Sequence, residues 1–389
     1  MRVALVGPYP PPGPLRINGG VEAAAFYLAQ GLKMLGNVDL HVVSATKRVQ
    51  SPVQASHGGV TVHYIPVRGR RIVPNMILDV FRLRRPIDTI QPDVVHGQSP
   101  WATLAGLRGG YPTVYTIHGV IHREGKYYGN GLAVRLNTLL RAYLTNKAIS
   151  RGSHSIAVSS YVRSEFQDIA RSGITVIPNA VEDRFFELCE DEVPDRLLYV
   201  GFVSRLKNVL GLIRAFEGVK RFRPNAHLVI AGSIRDQSYH AEALDYVNER
   251  GLAESVQFLG LVDQDRLLCE YARAAIVCTF SWHESFSLTV AQAMAAGKPV
   301  VSSDSGGPSD LVADGETGFL VPCGDEKAFA ERLLALLSDC DLRRRFGARG
   351  REVANERFRK EVVAARTLGV YEEVISRAAS AAARRSSMQ

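Results

Sequence analysis

Ala275-Ile276-Val277-Cys278, then Trp282-His283-Glu284-Ser285-Phe286-Ser287-Leu288, then Gln292-Ala293-Met294-Ala295-Ala296-Gly297, then Pro299-Val300-Val301-Ser302-Ser303, reads as one α/β unit. The first apolar run has the length and β-branching of a buried strand, and the last run reads as the next strand. The small apolar residues after Leu288 suit a helix lying close on a sheet. The acidic turn therefore sits at the C-terminal end of a strand. Ligands bind at that end of an open α/β sheet, which makes Glu284 a site candidate by position.

The same alternation fills the chain on both sides. Val3–Val6, Leu40–Ser44, Val60–Ile65, Asp93–His96, Thr113–Thr116, Ser155–Ser159 and Ile174–Ile177 read as strands, and Val21–Leu35 as a helix. The pattern restarts with strands at Leu197–Gly201, His227–Gly232 and Val256–Gly260, and with helices over Val209–Arg221 and Tyr239–Arg250. Short β-rich runs between helical stretches imply parallel sheets. A length of 389 residues exceeds one ordinary core. The expectation is an α/β chain of two Rossmann-like α/β/α domains, 1–181 and 182–365, facing each other across a cleft. A helical tail from Glu326 to Ala382 would cover the second sheet, its last part (366–389) packing back on the first.

Hydrophobic residues make up 46% of the chain, a globular value, and no apolar run is long enough to span a bilayer. Gly7-Pro8-Tyr9-Pro10 interrupts the first apolar run too early for a signal peptide. Five scattered Cys show no metal-site spacing, which fits a reduced, cytoplasmic setting. The net charge of +8 is uneven. Residues 1–190 hold 21 Lys or Arg against 12 Asp or Glu, and the remainder holds 26 against 27. The basic excess in the first half points to an anionic partner, a phosphate-bearing acceptor or an acidic lipid surface. No nucleic-acid motif accompanies it.

Several loops offer chemistry. Asn18-Gly19-Gly20-Val21-Glu22 opens the first helix, where free amides can hold a phosphate and two glycines permit turns of positive φ; Arg16 precedes it. The same text fits a plain turn. His118-Gly119 follows a strand and could donate to a sugar or phosphate, or be a satisfied surface histidine; His96 is a weaker counterpart. Arg205 and Lys207 follow Gly201 and could neutralise a diphosphate, or belong to a solvated loop. Asn208 could cap the helix after them. Ser285, Phe286, Ser287 and Leu288 present amides near a helix start. Gln292, eight positions after Glu284, would lie two turns along on a similar face; it also fits an ordinary helix polar residue.

Taken together, these pieces resemble the retaining GT-B glycosyltransferases of family 4 over nearly the whole chain. Gly19-Gly20 with Glu22, His118-Gly119, Pro178-Asn179-Ala180-Val181, Gly201 through Lys207, Glu284-x-Phe286, Gly306-Gly307 and Asp314-Gly315 with Gly318-Phe319-Leu320-Val321 carry the likeness in order. The resemblance implies a nucleotide-sugar donor on the second domain and an acceptor on the first. Glu284 would contact sugar hydroxyls and His118 would lie by the transferred sugar. Lys207, with Arg205, and the amides of Phe286, Ser287 and Leu288, flanked by Ser285, would meet the diphosphate. Leu259 and Val262 would frame the base, and Gly20 would approach the donor. Arg16, Gly19, Glu22, Arg70 and Arg71 would serve the acceptor. Transfer would retain anomeric configuration without metal or other cofactor; a nucleotide-sugar epimerase on the same fold, or a non-catalytic nucleotide-sugar-binding protein, is the alternative. Three departures stand out: Gln292 where the family has a second glutamate, Phe202 where an arginine is common, and Asp310 where glutamate is usual.

Arg68-Gly69-Arg70-Arg71-Ile72 through Arg82-Leu83-Arg84-Arg85 holds six arginines interleaved with Val73, Met76, Ile77, Leu78, Val80 and Phe81. Such a surface could rest on acidic lipid at the inner face of the membrane or grip a phosphorylated acceptor; an ordinary surface helix fits equally. Pro74 and Pro86 would confine any helix to the span between them. A glycan or lipid-linked acceptor follows from the first reading. Oligomeric state is not legible.

Overall fold

The computed structural model describes every residue except 14, 68–74, 130, 190 and 387–389, and the side chains of 385 and 386. The chain divides into two units. One comprises Met1–Gly125, Asn130–Ala180 and Lys360–Gln389; the other comprises Lys126–Gly129 and Val181–Arg359.

The first unit is built on an eight-stranded sheet. Its strands are β1 (Arg2–Val6), β2 (Asp39–Thr46), β3 (Val53–His57), β4 (Val60–Pro66), β5 (Val94–Gly97), β6 (Thr113–Ile117), β7 (His154–Ala157) and β8 (Ile174–Val176). The order is β3-β4-β2-β1-β5-β6-β7-β8. All neighbours are parallel except β3, which pairs antiparallel with β4. Sequence reading misses β3 because Val53-Gln54-Ala55-Ser56-His57 is polar and half exposed, as suits an edge strand. Its signal is the two-residue turn Gly58-Gly59, with φ of 57° and 77°, the backbone that a tight hairpin demands. On one face of the sheet, Ala4, Val6, Val43 and Val95 pack with Leu83, Ile87, Ile90, Ala102 and Ala105 from helices.

The tail is three helices, Glu326–Ser338, Cys340–Arg357 and Lys360–Ser386. The return to the first unit comes at Lys360, where the sequence alone suggests residue 366. Helix Lys360–Ser386 lies against helix Gly20–Leu35 so closely that a Cβ on Gly31 would meet the Lys360 carbonyl oxygen at 2.3 Å. Val363, Ala364, Val370, Tyr371 and Val374 are buried on this helix.

The second unit carries six parallel strands: β9 (Arg196–Val200), β10 (His227–Ala231), β11 (Val256–Gly260), β12 (Ile276–Thr279), β13 (Val300–Ser303) and β14 (Gly318–Val321). Their order is β11-β10-β9-β12-β13-β14. Leu197, Tyr199, Leu228, Ile230, Ile276 and Cys278 pack against Leu212, Phe216, Phe329 and Leu333 from helices, a core almost wholly closed to water. The strand order reverses direction at β9 and β12, and a crevice for ligands opens at such a switch point.

Candidate functional site

The switch point of the second unit gathers the loops after β9, β12 and β13. Glu284 lies in the turn after β12. Its N–H donates to Ser305 O at 2.9 Å and its carbonyl accepts from Gly307 N at 2.8 Å, an isolated parallel bridge to the β13 loop. Trp282 N donates to Leu206 O at 2.9 Å, tying the same turn to the β9 loop. Gly307 permits the approach: a Cβ there would stand 2.5 Å from Phe286 N. Backbone bonds on both sides thus fix the carboxylate of Glu284. One of its oxygens, Oε1, accepts from Lys207 Nζ at 2.6 Å and from Ser281 Oγ at 2.8 Å. The pair is largely shielded, with 21% of the Lys207 side chain and 13% of Glu284 exposed. A charge-assisted contact in such surroundings is short and directional.

Glu284 is not on the following helix, which runs Leu288–Ala295. The two-turn relation to Gln292 expected from spacing is therefore corrected: irregular backbone separates Glu284 from Leu288. Gln292 is buried, and its Oε1 accepts from Tyr271 OH at 3.0 Å, a hydroxyl also 3.3 Å from Thr289 O. Ser287 precedes the helix at φ 76°, ψ 82°, a left-handed conformation that a residue with a side chain adopts at a cost of about 1–2 kcal/mol. No side chain caps this helix. Ser287 is buried and its hydroxyl has no partner among the described residues. The first-turn N–H groups thus lack a side-chain acceptor, and such an end attracts anions. Phe286, buried edge-on against Phe358, anchors the turn.

Lys207 belongs to a short turn, Arg205–Lys207. Arg205 does not join it at Glu284. Its guanidinium bonds Glu242 at 3.0 Å, approaches Asp236 at 3.6 Å and lies 5.1 Å from the centre of the Tyr239 ring. Asn208 does not cap with its side chain, contrary to expectation: at φ 51° it is left-handed, and the N–H of Leu210 donates to Tyr239 OH at 2.9 Å instead. Sequence reading also passes over Arg235, whose guanidinium covers the Phe202 ring at 4.0 Å. It comes from the β10 loop, so only the pairing of β9 with β10 brings it there. Leu259 and Val262, both half-buried, flank the C-terminal end of β11, where Gly260 O accepts from Gly232 N at 2.8 Å.

In the first unit, Gly19 is extended at φ 172°, and Gly20 opens the helix in open space: a Cβ on it would meet nothing within 4 Å. The positive φ expected of these glycines is thus absent; their bareness leaves the helix start uncovered. Glu22 accepts from Asn18 N at 3.1 Å and Asn18 Nδ2 at 3.4 Å, and burial raises its pKa. Arg16 is exposed beside them. Arg70 and Arg71 lie outside the described residues.

His118 stands at the end of β6, partly covered. Its Nε2 is 2.7 Å from Gln98 Oε1; Gln98 Nε2 is 3.0 Å from His96 Nε2; His96 Nδ1 is 2.6 Å from Tyr371 OH. Thr116 Oγ1 closes on His96 Nε2 at 2.6 Å. Desolvation lowers the pKa of His118 to about 4 and that of His96 to about 3, so both rings are neutral at pH 7. The amide of Gln98 then sets the tautomers. His118 donates from Nε2, His96 receives at Nε2 and donates from Nδ1 to Tyr371, and His118 keeps Nδ1 as an acceptor. His96, the weaker candidate by sequence, is the buried support of the stronger one.

Two Rossmann-like units, the second with an anion-ready helix start and a Lys–Glu pair at its switch point, have the architecture of the GT-B glycosyltransferases. The chain belongs to glycosyltransferase family 4: the family model "Glycosyltransferase Family 4" matches residues 18–185, and "Glycosyl transferases group 1" matches 181–353. It is 30% identical to a GDP-mannose-dependent alpha-mannosyltransferase of Mycolicibacterium smegmatis, over 97% of this chain and 98% of that one. It is also 30% identical to a phosphatidyl-myo-inositol mannosyltransferase of Mycobacterium leprae, over 96% and 97%. Among solved structures, a sucrose-phosphate synthase from Thermosynechococcus elongatus shares the fold at TM-score 0.78 and 21% identity, covering 97% of this chain and 99% of that one. Anabaena HepE in complex with UDP and glucose shares it at 0.74 and 18%, covering 96% and 99%.

Proposed function

We propose that the chain is a retaining, metal-independent glycosyltransferase that moves a hexosyl unit from a nucleotide-diphosphate sugar to a hydroxyl of a lipid-linked or glycan acceptor. GDP-mannose is the first donor to test, because both mannosyltransferase relatives match along almost their full length. GDP-mannose carries its sugar in the α configuration, so an α-mannosyl product is one of retention.

The carrying observation is the Lys207–Glu284 pair beside the uncapped start of helix Leu288–Ala295. As the bond from the anomeric carbon to the diphosphate breaks, negative charge builds on the leaving phosphate. Fixed amides at Phe286, Ser287 and Leu288, with the ammonium of Lys207, would receive that charge without reorganising. Glu284 would accept from sugar hydroxyls with the oxygen that Lys207 leaves free. The acceptor hydroxyl would attack on the face that the phosphate leaves and pass its proton to a phosphate oxygen. Leu259 and Val262 would border the base, Gln292 the ribose, Gly20 the phosphates and His118 Nδ1 a hydroxyl of the transferred sugar. Arg16, Gly19 and Glu22 would meet the acceptor.

The test is hydrolysis of a donor panel, then transfer to an acceptor panel with the product's anomeric configuration read by NMR. Donor cleavage that depends on Glu284, survives EDTA and gives an α product supports the reading. Donor binding without turnover on any acceptor, or a β product, contradicts it.

A further inference from the structure

The described part of the arginine-rich stretch is less available than its sequence suggests. Two helices, Asn75–Arg82 and Arg84–Ile90, replace the one expected between the prolines. Pro86 lies in the first turn of the second, where no N–H is needed. Arg82 pairs with Asp79 and Arg84 with Asp88, each at 3.2 Å, and Phe81 lies under Arg108 at 4.6 Å. Local carboxylates thus neutralise much of the described basic face.

A different surface has the opposite character. Helix Leu132–Arg151 buries only Leu144, Thr145, Ala148 and Ile149, all in its second half. Leu132, Leu136, Leu139 and Tyr143 are 74%, 57%, 66% and 59% exposed. Their spacing of four, three and four residues aligns them on one side of the helix, apart from the buried residues. Four large apolar side chains in a row on water form a patch rather than scattered exposure. Along this segment of the chain the charge has one sign, although Glu124 ends the short helix Ile121–Glu124 that packs on it. From Gly125 through Ser164 the chain contains no Asp or Glu, but it contains Lys126, Arg135, Arg141, Lys147, Arg151 and Arg163. On the helix, Arg135 and Lys147 flank the apolar row. Neither pairs with a carboxylate among the described residues, and Lys147 Nζ lies 5.6 Å over the Tyr143 ring.

We infer that this face of helix Leu132–Arg151 docks on an anionic lipid bilayer, with Leu132, Leu136, Leu139 and Tyr143 in the acyl boundary and Arg135 and Lys147 at the headgroups. An apolar row flanked by cations, on a helix without any acid, is the composition that binds such an interface. A second copy of the same face would bring cation against cation, which disfavours self-association. The inference deepens the lipid-linked acceptor reading but does not depend on the donor chemistry.

The test is co-sedimentation of the full chain with vesicles of phosphatidylcholine alone and with about one-third phosphatidylglycerol. Binding should need the anionic lipid and weaken as salt rises. Leu136→Glu with Leu139→Glu should lower the partition coefficient about tenfold or more, with the circular dichroism spectrum and the rate of donor hydrolysis unchanged. Arg84→Glu with Arg85→Glu should leave binding within about twofold of wild type. Equal sedimentation of the wild type and the leucine variant overturns the inference. So does loss of binding in the arginine variant alone, or a wild-type dimer that the leucine variant splits without any lipid dependence. Loss of donor hydrolysis in the wild type would instead count against the proposed reaction, because vesicle binding needs no donor.

Discussion

At the residue scale, the proposed transfer would rest on a few side chains held by others. Lys207→Ala should lower kcat/KM by about 10²–10³-fold, the usual effect of removing one preorganised charge partner. Glu284→Ala should act similarly while the chain stays folded, since the turn is held by the backbone bonds of residue 284 to Ser305 and Gly307. Steady-state kinetics and circular dichroism check both. His118 offers a different test. Placing a carboxylate at its Nε2 by Gln98→Glu favours the imidazolium, so its pKa should rise from about 4 toward the ordinary histidine range. NMR titration of the imidazole reads this directly, and a pH–rate profile unchanged below neutrality would show that the ring takes no part. Both histidines have depressed pKa values in the folded chain, so the unfolded chain binds more protons below the ordinary value near 6.5. Their contribution to stability is complete above that pH and is lost as pH falls toward 4 and 3. The slope is about 1.4 kcal/mol per pH unit for each ring, measurable as a falling denaturant midpoint.

At the element scale, the β12–helix turn is shaped by close backbone contact. Gly307→Ala places a methyl against the Ser285–Phe286 peptide and should weaken donor affinity while destabilising the second unit by about 1–3 kcal/mol. Thermal unfolding with and without GDP measures both effects. Most strands were legible in the sequence because short apolar runs at regular intervals have few other solutions. The exceptions have physical causes. Edge strand β3 hides its signal in Gly58-Gly59, and Gly318–Val321 starts with a glycine. Glu284 was legible from its place after a strand. The disposition of Arg205 and Arg235 was not, because each is set by a neighbour distant in sequence, Glu242 and Phe202, and the helix start after Asn208 is met by the distant Tyr239 hydroxyl, which accepts from Leu210 N–H.

At the scale of the whole molecule, the last helix belongs to the first unit. Tyr371 reaches His96, and Gly31 admits the Lys360 backbone. Tyr371→Phe should cost about 1–3 kcal/mol by leaving the His96 Nδ1–H without an acceptor, read as a lower unfolding midpoint at pH 7. The two-domain plan and the uneven charge could be read from the chain alone. The exposed apolar row on helix Leu132–Arg151 could not: the arginine count points to 68–85, whereas that row emerges only once burial is known.

In the proposed reaction the leaving diphosphate sits at the start of helix Leu288–Ala295, between its amides and Lys207. A crystal structure of the chain with GDP-mannose, or with GDP if the sugar is cleaved, tests it most directly. The β-phosphate oxygens should lie about 3 Å from the amides of Ser287 or Leu288 and from Lys207 Nζ. A well-ordered nucleotide with its diphosphate away from both would contradict it.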